Sequence, residues 1–143
     1  MIDLAEEKDY TTLENVWESA VKNTHYFLET KDFEYYKSRL TTYFQHVDLY
    51  TYKNEQEQII GFLGVSGLKI EMLFIDNLYR GKGIGKKLLE FALNELKADS
   101  LDVNEQNKQA VGFYTHLGFK IIGRSDYDGE GKNYPLLRMK LQR

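Results

Sequence analysis

The sequence predicts one α/β domain with about seven strands and about four helices, in the order β-α-α-β-β-β-α-β-α-β-β. Two kinds of apolar spacing support this prediction. Apolar residues three and four positions apart indicate helices with one buried face, and short apolar runs indicate strands. The 143 residues contain no repeat, no low-complexity tract and no linker rich in Pro, Gly or Ser, so we expect a single domain over residues 1–143.

The first half of the chain predicts a strand, two helices and three more strands. Residues 2–5 form a short strand-like run, and helical spacing follows twice. The apolar faces are Leu13, Val16, Trp17, Ala20 and Val21 in the first helix and Phe33, Tyr36, Leu40 and Phe44 in the second. VDLYTYK and QIIGFLGVSG then predict a hairpin, and IEMLFID predicts a further strand.

The second half predicts two helices and three strands. A helix is expected from Gly83 to Ala98, because its apolar residues recur every four positions with polar residues between them. LDVN predicts a brief strand, and a helix from Asn107 to Leu117 is expected to end at Gly118. FKIIGRS and YPLLRMKL predict two closing strands around the loop DYDGEGKN.

Composition argues against several classes of function. No apolar run approaches the roughly 18 residues that cross a bilayer, and MIDLAEEKDY lacks the features of a secretion signal, so we expect a cytoplasmic protein without a membrane partner. The absence of cysteine and the three scattered histidines argue against disulfides and a metal site. A net charge of -3 with short basic clusters argues against binding nucleic acid.

The segment LYRGKGIGKK is the strongest candidate for a binding site. Residues without Cβ allow several backbone N–H groups to converge where a helix presents its positive end, which is a favourable place for phosphate. The glycines are Gly81, Gly83 and Gly85, and the basic residues around them are Arg80, Lys82, Lys86 and Lys87. Positive charge at a helix N-terminus opposes the helix dipole, which favours the presence of an anion.

Two common phosphate loops do not fit this segment. The Walker A motif needs glycine at position 80, which is Arg80, and Ser or Thr at position 87, which is Lys87. The dinucleotide fingerprint needs glycine where Lys86 stands, and the predicted elements do not alternate as a βαβ repeat. Neither ATP nor NAD is favoured.

Two segments together resemble the GNAT superfamily of N-acyltransferases. Residues 80–85 match its R/Q-x-x-G-x-G/A signature, and NKQAVGFYTHLGF from Asn107 matches the N-x-x-A-x-x-F-Y-x-x-x-G-F segment that follows it. The order of elements is also similar, so the resemblance covers essentially the whole chain and implies a mixed central sheet of about seven strands flanked by about four helices. THYFL and GRSDYDGEGKNYPLL are further similar to a subgroup that includes small bacterial peptidyl-lysine N-acetyltransferases.

The resemblance implies that acetyl-CoA is the cosubstrate. It implies that the glycine turn binds the pyrophosphate through backbone amides, and that main-chain groups of the preceding strand pair with the pantetheine arm. The Leu73 N–H would also polarise the thioester carbonyl. The implied cofactor-binding residues are Leu73, Ile75, Arg80, Gly81, Lys82, Gly83, Ile84, Gly85, Lys86, Asn107 and Tyr114.

Amide formation needs a neutral amine, a donor to the oxyanion and a proton for the thiolate. Glu71 is the candidate base, because strand alternation would place it on the same face as Leu73; it could equally be a surface residue paired with Lys69. Tyr114 is the candidate general acid; most tyrosines are core aromatics, but Asn107 precedes it by two turns on the same helix face. With no cysteine, direct attack of the amine on acetyl-CoA is expected.

The acceptor would be a primary amine, either a small molecule or a protein lysine. Candidate acceptor-binding residues are His25, Asp126 and Tyr134, of which His25 and Asp126 could equally be ordinary polar loop residues. Two alternatives stay open: a non-catalytic acyl-CoA sensor or interaction module, and transfer from another acyl-CoA. The chain would be a monomer or homodimer. Asn77 stands where many relatives have proline, which implies a looser turn.

Overall fold

The computed structural model describes residues 1–142 and forms two compact units, Met1–Ala98 and Asp99 onwards. The predicted order of strands and helices is confirmed. The strands are β1 (Ile2–Leu4), β2 (Asp48–Lys53), β3 (Ile59–Ser66), β4 (Lys69–Ile75), β5 (Ser100–Asn104), β6 (Phe119–Ser125) and β7 (Leu136–Leu141). The helices are α1 (Tyr10–Lys22), α2 (Thr30–Phe44), α3 (Ile84–Asn94) and α4 (Lys108–His116), with 3₁₀ turns at Glu7–Asp9 and Asn77–Tyr79. No helix within residues 1–142 is long and apolar enough to cross a membrane.

The first unit has an antiparallel sheet in the order β1-β2-β3-β4. Helices α1 and α2 bury the apolar faces that the sequence predicts, and their core includes Trp17 stacked on Phe33 with ring centroids 5.1 Å apart. Phe44 meets Phe62 of β3 edge to face at 5.8 Å. Trp17 and Phe62 belong to the same buried cluster, so α1 packs on the sheet that leads to the glycine turn.

Helix α3 is shorter than predicted, since it ends at Asn94 rather than Ala98. Lys97 has a φ of 59°, and the Ala98 N–H bonds back to the Ala92 carbonyl at 3.0 Å. Glycine normally fills a left-handed position that follows a helix. Because a lysine fills it here, the sequence contains no stop signal.

The second unit has an antiparallel sheet in the order β5-β7-β6, with α4 between β5 and β6 in the chain. The predicted limits of α4 are confirmed within one residue at each end. Gly118 follows the helix with a φ of 101°, a conformation that favours glycine. The helix therefore ends where the sequence predicts.

Candidate active site

The glycine turn between β4 and α3 has the backbone conformation that an anion site requires. Gly81 and Gly83 have φ values of 76° and 82°, in the left-handed region that other residues avoid. A Cβ built on either glycine meets no atom within 4 Å, so the space beside this backbone is open. The turn thus has room for a bulky group such as a pyrophosphate.

Backbone donors gather at the start of α3. The first intrahelical bond runs from the Lys87 N–H to the Gly83 carbonyl at 3.1 Å, so the N–H groups of Ile84, Gly85 and Lys86 have no acceptor within the helix. Gly83 supplies no side-chain cap, and the first turn contains no acidic residue. The helix dipole and these donors therefore favour an anion at this end of α3. The Ile84 side chain is buried, which leaves its backbone for any ligand contact.

The basic side chains of the turn lie against neighbours in the same unit. Arg80 Nη1 donates to Asn77 Oδ1 at 3.4 Å, and Lys82 Nζ lies 5.8 Å from the Tyr79 ring centroid. Lys86 Nζ is 3.9 Å from a carboxylate oxygen of Glu90, and both side chains are exposed. The Lys86–Glu90 contact is exposed and therefore weak, so the Lys86 side chain can turn toward a phosphate. The role of these basic side chains in binding stays a prediction.

Main-chain groups of β4 point away from β3 at both positions singled out in the sequence. The Asp76 N–H donates to the Ile60 carbonyl at 2.9 Å, just past the end of β4. Bonded and non-bonded residue pairs alternate along an antiparallel ladder, so Leu73 and Ile75 occupy the non-bonded positions. Their N–H and C=O groups are directed to the opposite edge of β4, as pairing with a ligand arm requires.

Glu71 lies in a β-bulge. The successive β3 residues Gly64 and Val65 face Met72 and Ile70 of β4, so Glu71 is an extra residue without a partner across the ladder. A bulge interrupts the alternation of side chains between the two faces of a sheet. Simple alternation therefore does not determine which face of the sheet the Glu71 side chain occupies.

The Glu71 carboxylate also has a basic neighbour. Its Oε1 is 3.8 Å from Lys69 Nζ, and the Glu71 side chain is 35% exposed. A contact this long and this exposed restrains the carboxylate only weakly. The role of Glu71 as the base stays a prediction, and the alternation of side chains along β4 does not support it.

The entry to the glycine turn is tied to helix α1. The Ser19 hydroxyl donates to Asp76 Oδ1 at 3.2 Å, and its oxygen accepts the Asn77 N–H at 3.0 Å. Asp76 Oδ1 also accepts the Leu78 N–H at 3.0 Å. These hydrogen bonds restrain a turn that lacks proline at position 77. Sequence analysis missed Ser19, because 57 residues separate it from Asp76 and no local pattern marks the contact.

His25 is half-buried between α1 and α2 and is held in one neutral form. The single Thr24 hydroxyl hydrogen is donated to the Ala20 carbonyl at 2.8 Å, so the Thr24 oxygen accepts from His25 Nδ1 at 2.7 Å. This bond assigns the proton to Nδ1 and leaves a lone pair on Nε2. The ring lies 5.3 Å from Phe27, and burial lowers the pKa of His25 to about 4. The next residue, Tyr26, is 81% exposed.

Asn107 begins helix α4 as its N-cap. Its Oδ1 accepts the Ala110 N–H at 3.3 Å, which satisfies one of the amides at the helix start. The side-chain oxygen thus caps the helix, whereas the side-chain NH₂ group can still donate a hydrogen bond. The predicted contact with a cofactor arm would therefore use Nδ2.

Tyr114 is the buried residue of α4, with 9% of its surface exposed. Its ring meets Phe113 and Phe119 edge to face, with centroids 5.3 and 5.8 Å away. No hydrogen bond to its hydroxyl is seen within residues 1–142. Burial raises the pKa of the Tyr114 phenol well above its usual value, so the group stays protonated at neutral pH and can donate.

The closing loop of the second unit is held by an exposed ion cluster. Arg124 Nε donates to Glu105 Oε2 at 2.5 Å, and Arg124 Nη1 donates to Asp126 Oδ1. The hydrogen bond from Arg124 lowers the pKa of Glu105. Asp126 is thus partly neutralised by Arg124, which weakens its attraction for a cationic amine. Tyr134 is buried beside this loop.

These features define a GNAT acetyltransferase. The GNAT acetyltransferase domain family matches residues 9–143, and the chain belongs to this family. It is 40% identical over 124 residues to the peptidyl-lysine N-acetyltransferase YjaB of Escherichia coli K12, which covers 87% of this chain and 84% of that protein. The solution structure of apo YjaB from E. coli has a TM-score of 0.90 at 37% identity and covers 98% of this chain and 95% of that one.

A second relative shares a shorter segment. The spermine/spermidine N(1)-acetyltransferase of Bacillus subtilis is 36% identical over 67 residues, which is 43% of this chain and 44% of that protein.

The predicted fold class, a mixed sheet of about seven strands with about four helices in the GNAT arrangement, is confirmed by the family match and by the similarity to the YjaB structure. The protein is an N-acetyltransferase. Within residues 1–142, no group of three or more His, Asp or Glu side chains is arranged to hold a metal ion.

Proposed function

We propose that this N-acetyltransferase transfers the acetyl group of acetyl-CoA to the side-chain amine of a lysine in a protein. The start of α3 is the observation that carries the cofactor assignment: three N–H groups without an intrahelical acceptor, beside two left-handed glycines and open space. The acceptor class is inferred from the 40% identity to a peptidyl-lysine N-acetyltransferase over most of both chains. We propose further that residues 1–143 act as one catalytic domain.

The cofactor would be fixed mainly by backbone groups. The pyrophosphate binds at Gly81 to Lys86, and the pantetheine arm pairs with the main chain of Leu73 and Ile75, whose polar groups point away from β3. The Leu73 N–H donates to the thioester oxygen as negative charge develops there. Backbone donors need no reorganisation during the reaction, which is why such groups are effective in acyl transfer.

The acceptor amine must lose a proton before or during attack. A lysine amine has an ordinary pKa of about 10.4, so most of it is protonated at neutral pH. Glu71 is our proposed base, acting directly or through water. His25, with its Nε2 lone pair, is proposed to accept a hydrogen bond from the acceptor, and Asp126 and Tyr134 stay proposed acceptor-binding residues.

Tyr114 is proposed to stabilise the leaving thiolate. An ordinary thiol has a pKa near 8.5, well below that of the buried phenol, so the tyrosine keeps its proton and donates a charge-assisted hydrogen bond to the thiolate. Protonation of the thiolate by solvent then completes release of free CoA. Substitution of Tyr114 by Phe keeps the ring among Phe113 and Phe119 and removes only the donor.

The function is tested by measuring release of free thiol from acetyl-CoA. The purified protein is mixed with lysine peptides, polyamines, amino sugars and amino acids, with Tyr114→Phe in parallel. We expect release with lysine peptides, and a fall in kcat of about 10- to 100-fold in Tyr114→Phe with unchanged acetyl-CoA affinity. Release with polyamines alone would replace the lysine assignment with a small amine.

Two other results would change the proposal. Binding of CoA without thiol release from any amine would make the chain an acyl-CoA sensor. Faster release from succinyl-CoA than from acetyl-CoA would change the donor, which the turn cannot distinguish because it contacts the pyrophosphate. Unchanged kcat in Tyr114→Phe would remove the tyrosine from the mechanism while leaving the activity in place.

A further inference from the structure

The Ser19 side chain of helix α1 contacts the segment that leads into the glycine turn. Ser19 makes two part-buried hydrogen bonds, one as a donor to Asp76 Oδ1 and one as an acceptor from the Asn77 N–H. Because a hydroxyl has one hydrogen and two lone pairs, both bonds form at once. The next residues extend the network, since Asp76 Oδ1 accepts the Leu78 N–H and Asn77 Oδ1 accepts Arg80 Nη1.

The network acts on the segment that sets the direction of the glycine turn. Asp76 has φ and ψ of -52° and 131°, and the chain then enters the 3₁₀ turn Asn77–Tyr79 before Arg80 returns to extended backbone. Each of these changes in direction alters the position of Gly81 and of the N–H groups that follow. A fixed point at Asn77 therefore limits the orientations that the whole anion site can adopt.

Helix α1 is itself held in place by buried side chains. Val16, Trp17 and Ala20, which flank Ser19 on the helix, are buried in the first unit. Close-packed side chains of this kind restrain a helix against small shifts. The hydroxyl of Ser19 transmits that restraint to a short surface turn that has no buried residue of its own.

We propose that Ser19 is a positioning residue for acetyl-CoA binding, because it fixes the Asn77 N–H and thereby the backbone donors of the glycine turn. This inference rests on the proposed cofactor site. Ser19 does not contact the reacting atoms. It is expected to affect acetyl-CoA affinity and to leave the chemical step unchanged.

The backbone at this position allows a specific rescue. Asn77 is the first residue of a helical turn, where proline is favoured, and the ψ of 131° at Asp76 lies in the range that a residue before proline adopts. Proline at position 77 would fix φ covalently and has no N–H for Ser19 to accept. Asn77→Pro should therefore make the turn independent of Ser19.

The experiment compares CoA binding by calorimetry and acetyl-CoA KM and kcat in four variants: Ser19→Ala, Asn77→Pro, the double variant, and Asn77→Ala. In Ser19→Ala, we expect CoA affinity to fall and KM to rise about 3- to 10-fold, the worth of one or two hydrogen bonds, with kcat within about 2-fold. On the Asn77→Pro background, Ser19→Ala should change affinity less than about 2-fold. Asn77→Ala keeps the N–H and controls for the lost side chain.

The outcomes separate this inference from the proposed function. Failure of the unaltered protein to bind CoA would refute the cofactor assignment itself. Normal binding with no loss in Ser19→Ala, or an equal loss on the proline background, would refute only the role of Ser19. Ser19→Thr keeps the hydroxyl and should stay near normal affinity; a loss there equal to that of Ser19→Ala would also count against the proposal.

Discussion

The buried neutral form of His25 predicts a specific loss of stability in acid. The ordinary pKa of the imidazole is 6.5, and burial lowers the pKa of His25 to about 4. Above pH 6.5 the group is neutral in both the folded and the unfolded chain. As the pH falls below 6.5, the unfolded chain gains a proton that the folded protein does not accept, so the stability is lost progressively until about pH 4.

The size of this effect follows from the two pKa values. The difference between 6.5 and about 4 corresponds to about 3 kcal/mol of unfolding free energy, as an upper value for a half-buried group. Urea unfolding can be followed by the fluorescence of Trp17, the single tryptophan, which is buried. His25→Gln should lose less stability than the unaltered protein between pH 6.5 and 4.

A control and a direct measurement make this test sharper. His116 is exposed at the end of α4, so His116→Gln should leave the pH dependence unchanged. An NMR titration of His25 gives its pKa without unfolding the protein. A midpoint near 6.5, or identical acid sensitivity in His25→Gln and the unaltered protein, would refute the reasoning from burial.

Three further predictions concern the turn, the base and the ion cluster. Gly83→Glu should abolish CoA binding measured by calorimetry, whereas Gly67→Glu, at another exposed left-handed glycine, should show similar backbone strain and normal binding; equal binding in both would refute the phosphate site. Glu71→Gln should lower kcat and leave CoA affinity unchanged, and an unchanged pH–rate profile would exclude it as the base. Arg124→Gln should lower the melting temperature at low salt more than at high salt, since the contacts are exposed ion pairs; a loss that does not depend on salt would contradict this account.

Helix ends were predictable where the sequence contains the usual signals. Asn107 caps α4 and Gly118 follows its end. Asn is a common N-cap residue and Gly a common residue after a helix, so both positions can be predicted from the sequence. Helix α3 ends at Asn94, and the left-handed residue that follows it is Lys97, a conformation that lysine rarely adopts. Tertiary contacts decide such an ending, so the local sequence does not reveal it.

Strand faces were predictable only where the ladder is regular. The main-chain directions of Leu73 and Ile75 follow from simple alternation, because no irregularity lies between them and the end of β4. Glu71 lies at the bulge, where one extra residue changes which face the following side chains occupy. A sequence without homologous structures gives no sign of this extra residue.

The part of the proposed site that the sequence predicts is built from backbone groups, and the part that it does not predict is built from side chains. The proposed cofactor side uses backbone groups, and glycine spacing specifies backbone conformation directly, so Gly81 and Gly83 could be identified from the sequence. The proposed acceptor side uses side chains whose state depends on contacts with other side chains and with the backbone, such as the Thr24 bond that fixes the His25 tautomer and the Arg124 contact that partly neutralises Asp126. On the proposed assignment, substitutions at these side-chain positions should alter acceptor choice without altering acetyl-CoA binding.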